Sequence, residues 1–274
     1  ESWKDAKEEE EEREDLPAFI TDVVEVMNRQ EGDDLPVSTF VGREDGTFPN
    51  GTAAYEKRAI AIEVPHWIPE NCIQCNQCSY VCPHAVIRPF LLDEEEAKNK
   101  PETFETLKPI GKDFVGLEYK IQVSPLDCTG CGNCADVCPS KNKALVMEHF
   151  ENEYEVEAKN WEFAMTLKNK GDLVDPERTL KNSQFMEPLL EFSGACAGCG
   201  ETAYAKLVTQ LYGDRMYIAN ATGCSSIWGA SAPSTPYCKN QEGKGPAWAN
   251  SLFEDNAEFG YGMAIANRQI RGKI

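Results

Sequence analysis

Cys72-Ile-Gln-Cys75-Asn-Gln-Cys78-Ser-Tyr-Val-Cys82-Pro83 decides the reading of this chain, because the pattern is written again as Cys128-Thr-Gly-Cys131-Gly-Asn-Cys134-Ala-Asp-Val-Cys138-Pro139. Each is a C-x₂-C-x₂-C-x₃-C-P run, the spacing that wraps a chain around a cubane [4Fe–4S] cluster. Three cysteines at that spacing let one short loop offer thiolates to three corners of a small cube. The fourth points away and ligates the cluster of the other repeat. Proline then leads the chain out with its φ already set. The spacing therefore assigns Cys72, Cys75, Cys78 and Cys138 to one cluster, and Cys128, Cys131, Cys134 and Cys82 to the other. A pair of zinc sites competes with this reading. Zinc takes its four ligands as two pairs, which leaves the third cysteine and the Cys-Pro of each run without a role.

The flanks of both runs repeat as well. Ala59–Val64 reads as a strand entering the first loop, and Tyr119–Val123 as one entering the second. The order strand, loop, short helix thus occurs twice, an internal duplication that gives the two sites pseudo-twofold equivalence. Asp93–Glu105 is a charged insertion between the repeats, and Ala144–Met147 closes the module as a strand. Upstream, Leu16, Phe19, Ile20, Val23, Val24 and Met27 recur at helical steps, with Pro17 in the first turn and Gly32 at the end. Residues 33–58 read as a linker with a short strand candidate, Val37–Val41. Residues 151–190 form a polar connection in which Trp161–Lys168 is weakly helical, and from Glu191 the texture changes to Gly, Ala, Ser and aromatics.

The 274 residues carry a net charge of −19 and 12 cysteines. The acidic balance argues against nucleic acid and anionic membrane as partners. No apolar run approaches the ~20 residues that span a bilayer, and no secretory leader is evident. With eight cysteines absorbed by cluster spacing, the expected compartment is reducing and cytoplasmic. Residues 1–15 are dominated by acids and read as a solvated face or lead-in. The abrupt start and finish suggest a segment of a longer protein.

A second constellation follows. Ser193-Gly-Ala-Cys196-Ala-Gly-Cys199-Gly-Glu201-Thr202 leads into an amphipathic helix, Ala203–Leu211. A strand, Arg215–Asn220, then reaches the turn Ala221-Thr222-Gly223-Cys224-Ser225-Ser226. A turn at the carboxyl end of an α/β strand is where such sheets bind ligands, and helix N-termini there favour phosphate. Cys196, Cys199 and Cys224 leave three readings open on spacing alone. They are a redox Cys-x-x-Cys pair with a bystander, a zinc site short of a ligand, or part of a third iron–sulfur cluster.

The duplicated runs, Gly-Ala-Cys-Ala-Gly-Cys-Gly-Glu-Thr, Ala-Thr-Gly-Cys-Ser-Ser-Ile-Trp-Gly and Gly245-Pro-Ala-Trp-Ala-Asn-Ser-Leu-Phe-Glu-Asp-Asn-Ala-Glu-Phe-Gly260 together resemble pyruvate:ferredoxin (flavodoxin) oxidoreductase over essentially the whole chain. The resemblance implies an α+β ferredoxin-like two-cluster module joined to the beginning of an α/β thiamine diphosphate-binding domain. Its boundaries are 1–58 for an N-terminal helix and linker, 59–150 for the module, 151–190 for the connection and 191–274 for the cofactor domain. It implies three [4Fe–4S] clusters, the third held in part by Cys196, Cys199 and Cys224, with Glu201 and Cys224 touching thiamine diphosphate. For Glu201 the residue-level alternative is a carboxylate favoured by the helix dipole.

The fourth ligand of the third cluster, the Mg²⁺ ligands and the pyruvate and coenzyme A sites match nothing in these residues. Tyr237-Cys238-Lys239 fits no ligand position, so Cys238 is expected to be a buried thiol. His66, His84 and His149 are expected to pack or face solvent. Trp228, Trp248, Phe253 and Phe259 are expected in the core. The implied activity is oxidative decarboxylation of pyruvate with coenzyme A to acetyl-CoA and CO₂, electrons passing to ferredoxin or flavodoxin. The full-length protein would be a homodimer and this segment alone inactive. The alternatives are a sibling acting on another 2-oxoacid and a non-catalytic electron carrier.

Overall fold

In the computed structural model, which describes residues 16–230 and 234–274, the chain forms two compact units that meet in sequence at Pro49 and Asn50. The acidic run of residues 1–15 lies outside the described residues. In the smaller unit a π-helical turn, Ile20–Val24, runs into helix α1 (Glu25–Asn28). Ile20, Val23 and Val24 are buried, as their spacing predicts. The helix ends before Gly32, because Gln30 takes a left-handed φ of 65°. Val37–Phe40 is a 3₁₀ turn and not a strand: Val37 and Val41 are exposed, and no strand is paired with it among the described residues.

The larger unit begins with the duplicated module. Strand β1 (Glu63–Trp67) is followed by the first cysteine loop, helix α2 (Gln77–Val81), strand β2 (Ile87–Leu92) and helix α3 (Glu94–Lys98). Strand β3 (Glu118–Val123) then leads to the second loop, helix α4 (Asn133–Val137) and strand β4 (Leu145–His149). β1 pairs antiparallel with β4, Glu63 opposite His149, and β2 with β3, Ile87 opposite Val123. First pairs with last and second with third, so each repeat contributes one strand to each ribbon.

Three boundaries differ from the sequence reading. The first strand occupies Glu63–Trp67 because Ala59 has a left-handed φ of 49° and gives its N–H to the Leu126 carbonyl at 2.8 Å. β2 escapes a pattern reading because Pro89 sits at its centre. Proline is tolerated there because β2 is an edge strand, paired among the described residues with β3 alone. The weak helix at Trp161–Lys168 is the end of a longer one, α5 (Phe150–Thr166), which buries Asn160, Trp161 and Ala164 and touches β1, β3 and β4. The acidic insertion is ordered locally: Asp93 caps α3, and Glu96 returns the bond to the Asp93 N–H.

Helices α6 (Leu180–Ser183) and α7 (Gly200–Tyr212) precede strand β5 (Tyr217–Ala221), helix α8 (Cys224–Ala230), strand β6 (Ala247–Ser251) and helix α9 (Asn256–Arg271). β5 and β6 pair in parallel, Tyr217 opposite Ala247, with α8 in the crossover that a parallel pair requires. Residues 189–191 are stitched to 236–238 by Glu191 N–H to Pro236 (3.0 Å) and Cys238 N–H to Leu189 (3.1 Å). Trp228 is buried, whereas Phe253 is exposed and stands outside the core assigned to it from sequence. No helix among the described residues is long and apolar enough to cross a membrane.

Candidate iron–sulfur centres

The two cysteine loops have the same backbone, reached by different chemistry. In the second loop Gly130 and Gly132 take φ of 67° and 77°. The equivalent positions of the first loop, Gln74 and Asn76, take 57° and 59°. A non-glycine residue in this region costs on the order of 1–3 kcal/mol. Side-chain bonds offset that cost here. Gln74 donates to the Lys108 carbonyl (2.9 Å) and accepts the Ile110 N–H (2.7 Å). Asn76 donates to the Lys181 carbonyl (2.9 Å) and accepts the Tyr119 hydroxyl (2.7 Å). The first loop is thereby held by the segment that follows the insertion, by β3 and by α6. Among the site residues, these are ones a motif reading misses; the signal was a duplicated motif with Gln and Asn where its copy has glycine.

The folded loops gather the eight cysteines into two cavities. Cys72, Cys75, Cys78 and Cys138 line one, and Cys82, Cys128, Cys131 and Cys134 the other. Counted to the open mouth, the two hold about 320 and 340 Å³ of empty space, a near equality in keeping with the duplication. Burial pushes Cys128 up to about 12 and raises Cys72, Cys78 and Cys134, with neighbouring cysteines adding to the effect in each case. Cys134 is raised by Cys78 as well as by the cysteines of its own cavity, so charge in one cavity is felt in the other.

Three observations test the fit to iron–sulfur clusters. Among the described residues, no three His, Cys, Asp or Glu side chains close on a single metal-ion position. Four thiols that line one cavity without closing on one ion suit a polynuclear group better than one zinc ion, whose sulfurs lie at ~2.3 Å from the metal. The first cavity wall also contains a buried donor nitrogen with no hydrogen-bonding N or O partner, Trp67 Nε1, which lies beside the Cys72 sulfur. Backbone N–H groups already point at sulfur, Gly130 to Cys128 (3.4 Å) and Ala144 to Cys138 (3.3 Å). The residues present fit such clusters.

The second constellation is built at two helix starts. Cys199 immediately precedes α7, Cys224 opens α8, and Cys196 accepts the Cys199 N–H at 3.1 Å. Cys196 and Cys224 are exposed and Cys199 half-buried. Glu201, in the first turn of α7, is exposed and accepts the Trp228 indole N–H at 3.3 Å, which ties α7 to α8. Gly198 lies against the second cavity: a Cβ there would sit 3.7 Å from that of Cys131 and 3.6 Å from Asn133 Nδ2. His84, expected merely to pack, holds the same segment through a 3.0 Å contact between Nδ1 and the Ser193 carbonyl. His66 pairs with Glu153 at 2.9 Å. Cys238 is buried, with its Sγ 3.5 Å from the Pro188 carbonyl, and burial raises its thiol well above the ordinary value.

Fold and site together define a duplicated iron–sulfur module, and residues 69–142 match the 4Fe-4S dicluster domain. Residues 5–61 match a domain of unknown function designated EKR. Nearly the whole chain is similar to one part of pyruvate:ferredoxin and pyruvate-flavodoxin oxidoreductases. It is 62% identical over 262 residues to the pyruvate-flavodoxin oxidoreductase of Enterobacter agglomerans, covering 94% of this chain and 22% of that protein. To the pyruvate:ferredoxin oxidoreductase of Moorella thermoacetica it is 64% identical over 250 residues, 91% of this chain and 21% of the relative. The mitochondrial pyruvate dehydrogenase [NADP(+)] of Euglena gracilis is 54% identical over 256 residues, 93% and 14% of the two chains. The chain thus spans about a fifth of the length of the first curated relatives it matches.

Proposed function

We propose that this chain carries electrons within a 2-oxoacid oxidoreductase that converts pyruvate and coenzyme A to acetyl-CoA and CO₂ and delivers electrons to ferredoxin or flavodoxin. Iron–sulfur clusters exchange electrons singly, at potentials set by cluster type, charge, hydrogen bonds to sulfur and exposure. Cys72, Cys75, Cys78 and Cys138 would hold one, and Cys82, Cys128, Cys131 and Cys134 the second. Cys196, Cys199 and Cys224 would supply three ligands of a third. Glu201 and Cys224, near the starts of α7 and α8, would contact thiamine diphosphate in an α/β domain beginning near residue 191. The Mg²⁺ ligands, the substrate and coenzyme A sites and the subunit contacts of a homodimer would lie outside these residues. A cytoplasmic setting suits a protein of free thiols.

The single observation carrying this reading is that eight cysteines fall into two four-thiol cavities, each with one cysteine from the other repeat. The seating of Gly198 on Cys131 and the Ser193–His84 contact also support an order of transfer. Electrons would enter at Cys196, Cys199 and Cys224, pass to the cavity of Cys131 and then to that of Cys75, which delivers them. The chain's own part is to hold each site dry and at fixed separation, with the Trp67 indole N–H available to sulfur.

Anaerobic iron analysis with low-temperature EPR tests the reading. At least about eight iron atoms per chain and two coupled signals are expected for two cubane clusters. Replacing Cys138 should disturb the signal of the cluster on Cys72, Cys75 and Cys78. Zinc in place of iron, or disulfides between these cysteines, would overturn it.

A further inference from the structure

Helices α2 and α4 are equivalent under the duplication, and each ends at the cysteine assigned to the opposite cavity, Cys82 or Cys138. So short a helix leaves most of its last carbonyls without internal partners; the Ser79 and Ala135 carbonyls each accept the N–H of the cysteine three residues on, at 3.3 Å. Both helix ends are capped by a lysine ammonium, on the same three positions. Lys143 Nζ donates to the carbonyls of Ala135, Asp136 and Cys138, each at 3.0 Å. Lys206 Nζ donates to those of Ser79, Tyr80 (3.1 Å) and Cys82 (3.1 Å). Aligning Cys82 with Cys138 superposes Ser79 on Ala135 and Tyr80 on Asp136. An ammonium has three N–H donors, and each finds three carbonyls.

The two caps have unrelated origins. Lys143 follows its cysteine by five residues and is exposed. The corresponding place after Cys82 is Ile87, buried in β2. Its role falls to Lys206 on α7, 124 residues beyond Cys82 and 1% exposed. A cation removed from water acts on nearby charge with far less attenuation than one in solvent.

We propose that Lys206 and Lys143 are a matched pair of positioning residues. Each seats an ammonium on the backbone of a cluster-bridging cysteine, raising the reduction potential of the cluster that cysteine serves. The two are deliberately unequal in burial, so the cluster on Cys82 is shifted upward more than the cluster on Cys138. Local charge and hydrogen bonding are among the terms that set such potentials. This inference rests on the reading that the eight cysteines hold two clusters.

Redox titration followed by EPR of each cluster, on anaerobically isolated iron-loaded protein, compares wild type with Lys206→Met, Lys206→Arg and Lys143→Met. Lys206→Met is expected to retain its iron and to move one cluster to a more negative potential. The shift should be on the order of tenfold in the reduced-to-oxidised ratio, or about 59 mV for one electron. Lys143→Met moves the other cluster, by less. Lys206→Arg, with the charge kept, restores most of the shift; a purely structural cap would lose stability without this charge dependence. Should Lys206→Met not accumulate, Lys206→Arg near wild type with Lys143→Met lowering the other cluster alone supports the proposal. Unmoved potentials in iron-replete Lys143→Met, or both substitutions moving one cluster, overturn it. A wild-type protein without iron would overturn the cluster reading itself, whereas iron-replete variants with wild-type potentials sink only this inference.

Discussion

Replacing Arg88 with methionine isolates the contact that ties the cluster module to the segment leading to Cys196. Arg88, on β2, pairs with Glu191, and both side chains are only 11% exposed. Its guanidinium also donates from Nε to the Ala85 carbonyl at 2.6 Å and lies over the rings of Trp161 (5.1 Å) and Phe192 (5.5 Å). Removing one member of a buried ion pair costs roughly 3–5 kcal/mol, because the partner's charge is left without compensation. At ~2–4 °C per kcal/mol for a domain of this size, Arg88→Met should lower the melting temperature by about 6–20 °C.

Adding Glu191→Met removes the stranded charge. What stays lost is one hydrogen bond, about 1 kcal/mol, and the ring contacts, about 0.5–1 kcal/mol each. The double variant should therefore melt well above Arg88→Met, with a coupling of ~1–3 kcal/mol between the sites. Thermal melts followed by far-UV circular dichroism and by the visible absorbance of the clusters read both effects. A double variant no more stable than Arg88→Met would refute the reasoning, since burial of an unpaired carboxylate would then not be the source of the loss.

Lys120 is buried between Phe104 and Trp67, its Nζ 4.8 and 5.2 Å from the ring centres, and burial holds its pKa below the usual lysine value against the attraction of Glu157 and Glu105. Between the folded and ordinary values the unfolded chain binds more protons, so this residue makes stability rise with pH towards 10.5. Lys120→Met should be at least as stable as wild type at pH 7, with a shallower rise as the pH climbs towards 10.5; an unchanged slope in melts approaching that pH would count against it. Gly130→Ala places a Cβ 3.0 Å from the Glu63 carbonyl at a φ of 67°. It should cost on the order of 1–3 kcal/mol and lower iron content after reconstitution, and wild-type content and melting would refute the close approach.

The duplicated cysteine spacing was readable without any coordinates, because it is local: a few residues between thiols determine whether one loop can present three of them. The same holds for the amphipathic helix after Cys199, observed as Gly200–Tyr212, and for the strand before Cys128, observed as Glu118–Val123. The strand after Cys82 was hidden by Pro89, whose acceptability depends on β2 lying at an edge. The first strand slid to Glu63–Trp67 because Ala59 bonds to Leu126, a partner far along the chain.

Cys72 through Cys138 thus mark out two four-thiol sites by spacing alone. Tertiary structure decided what surrounds them: Gln74 and Asn76 taking a glycine conformation because Lys108, Ile110 and Tyr119 bind their side chains, and Lys206 substituting for a lysine that the first repeat lacks at Ile87. The difference is physical. Ligand spacing is a property of a dozen consecutive bonds, whereas a hydrogen-bond partner for a buried amide or carbonyl is whatever the completed packing brings within 3 Å.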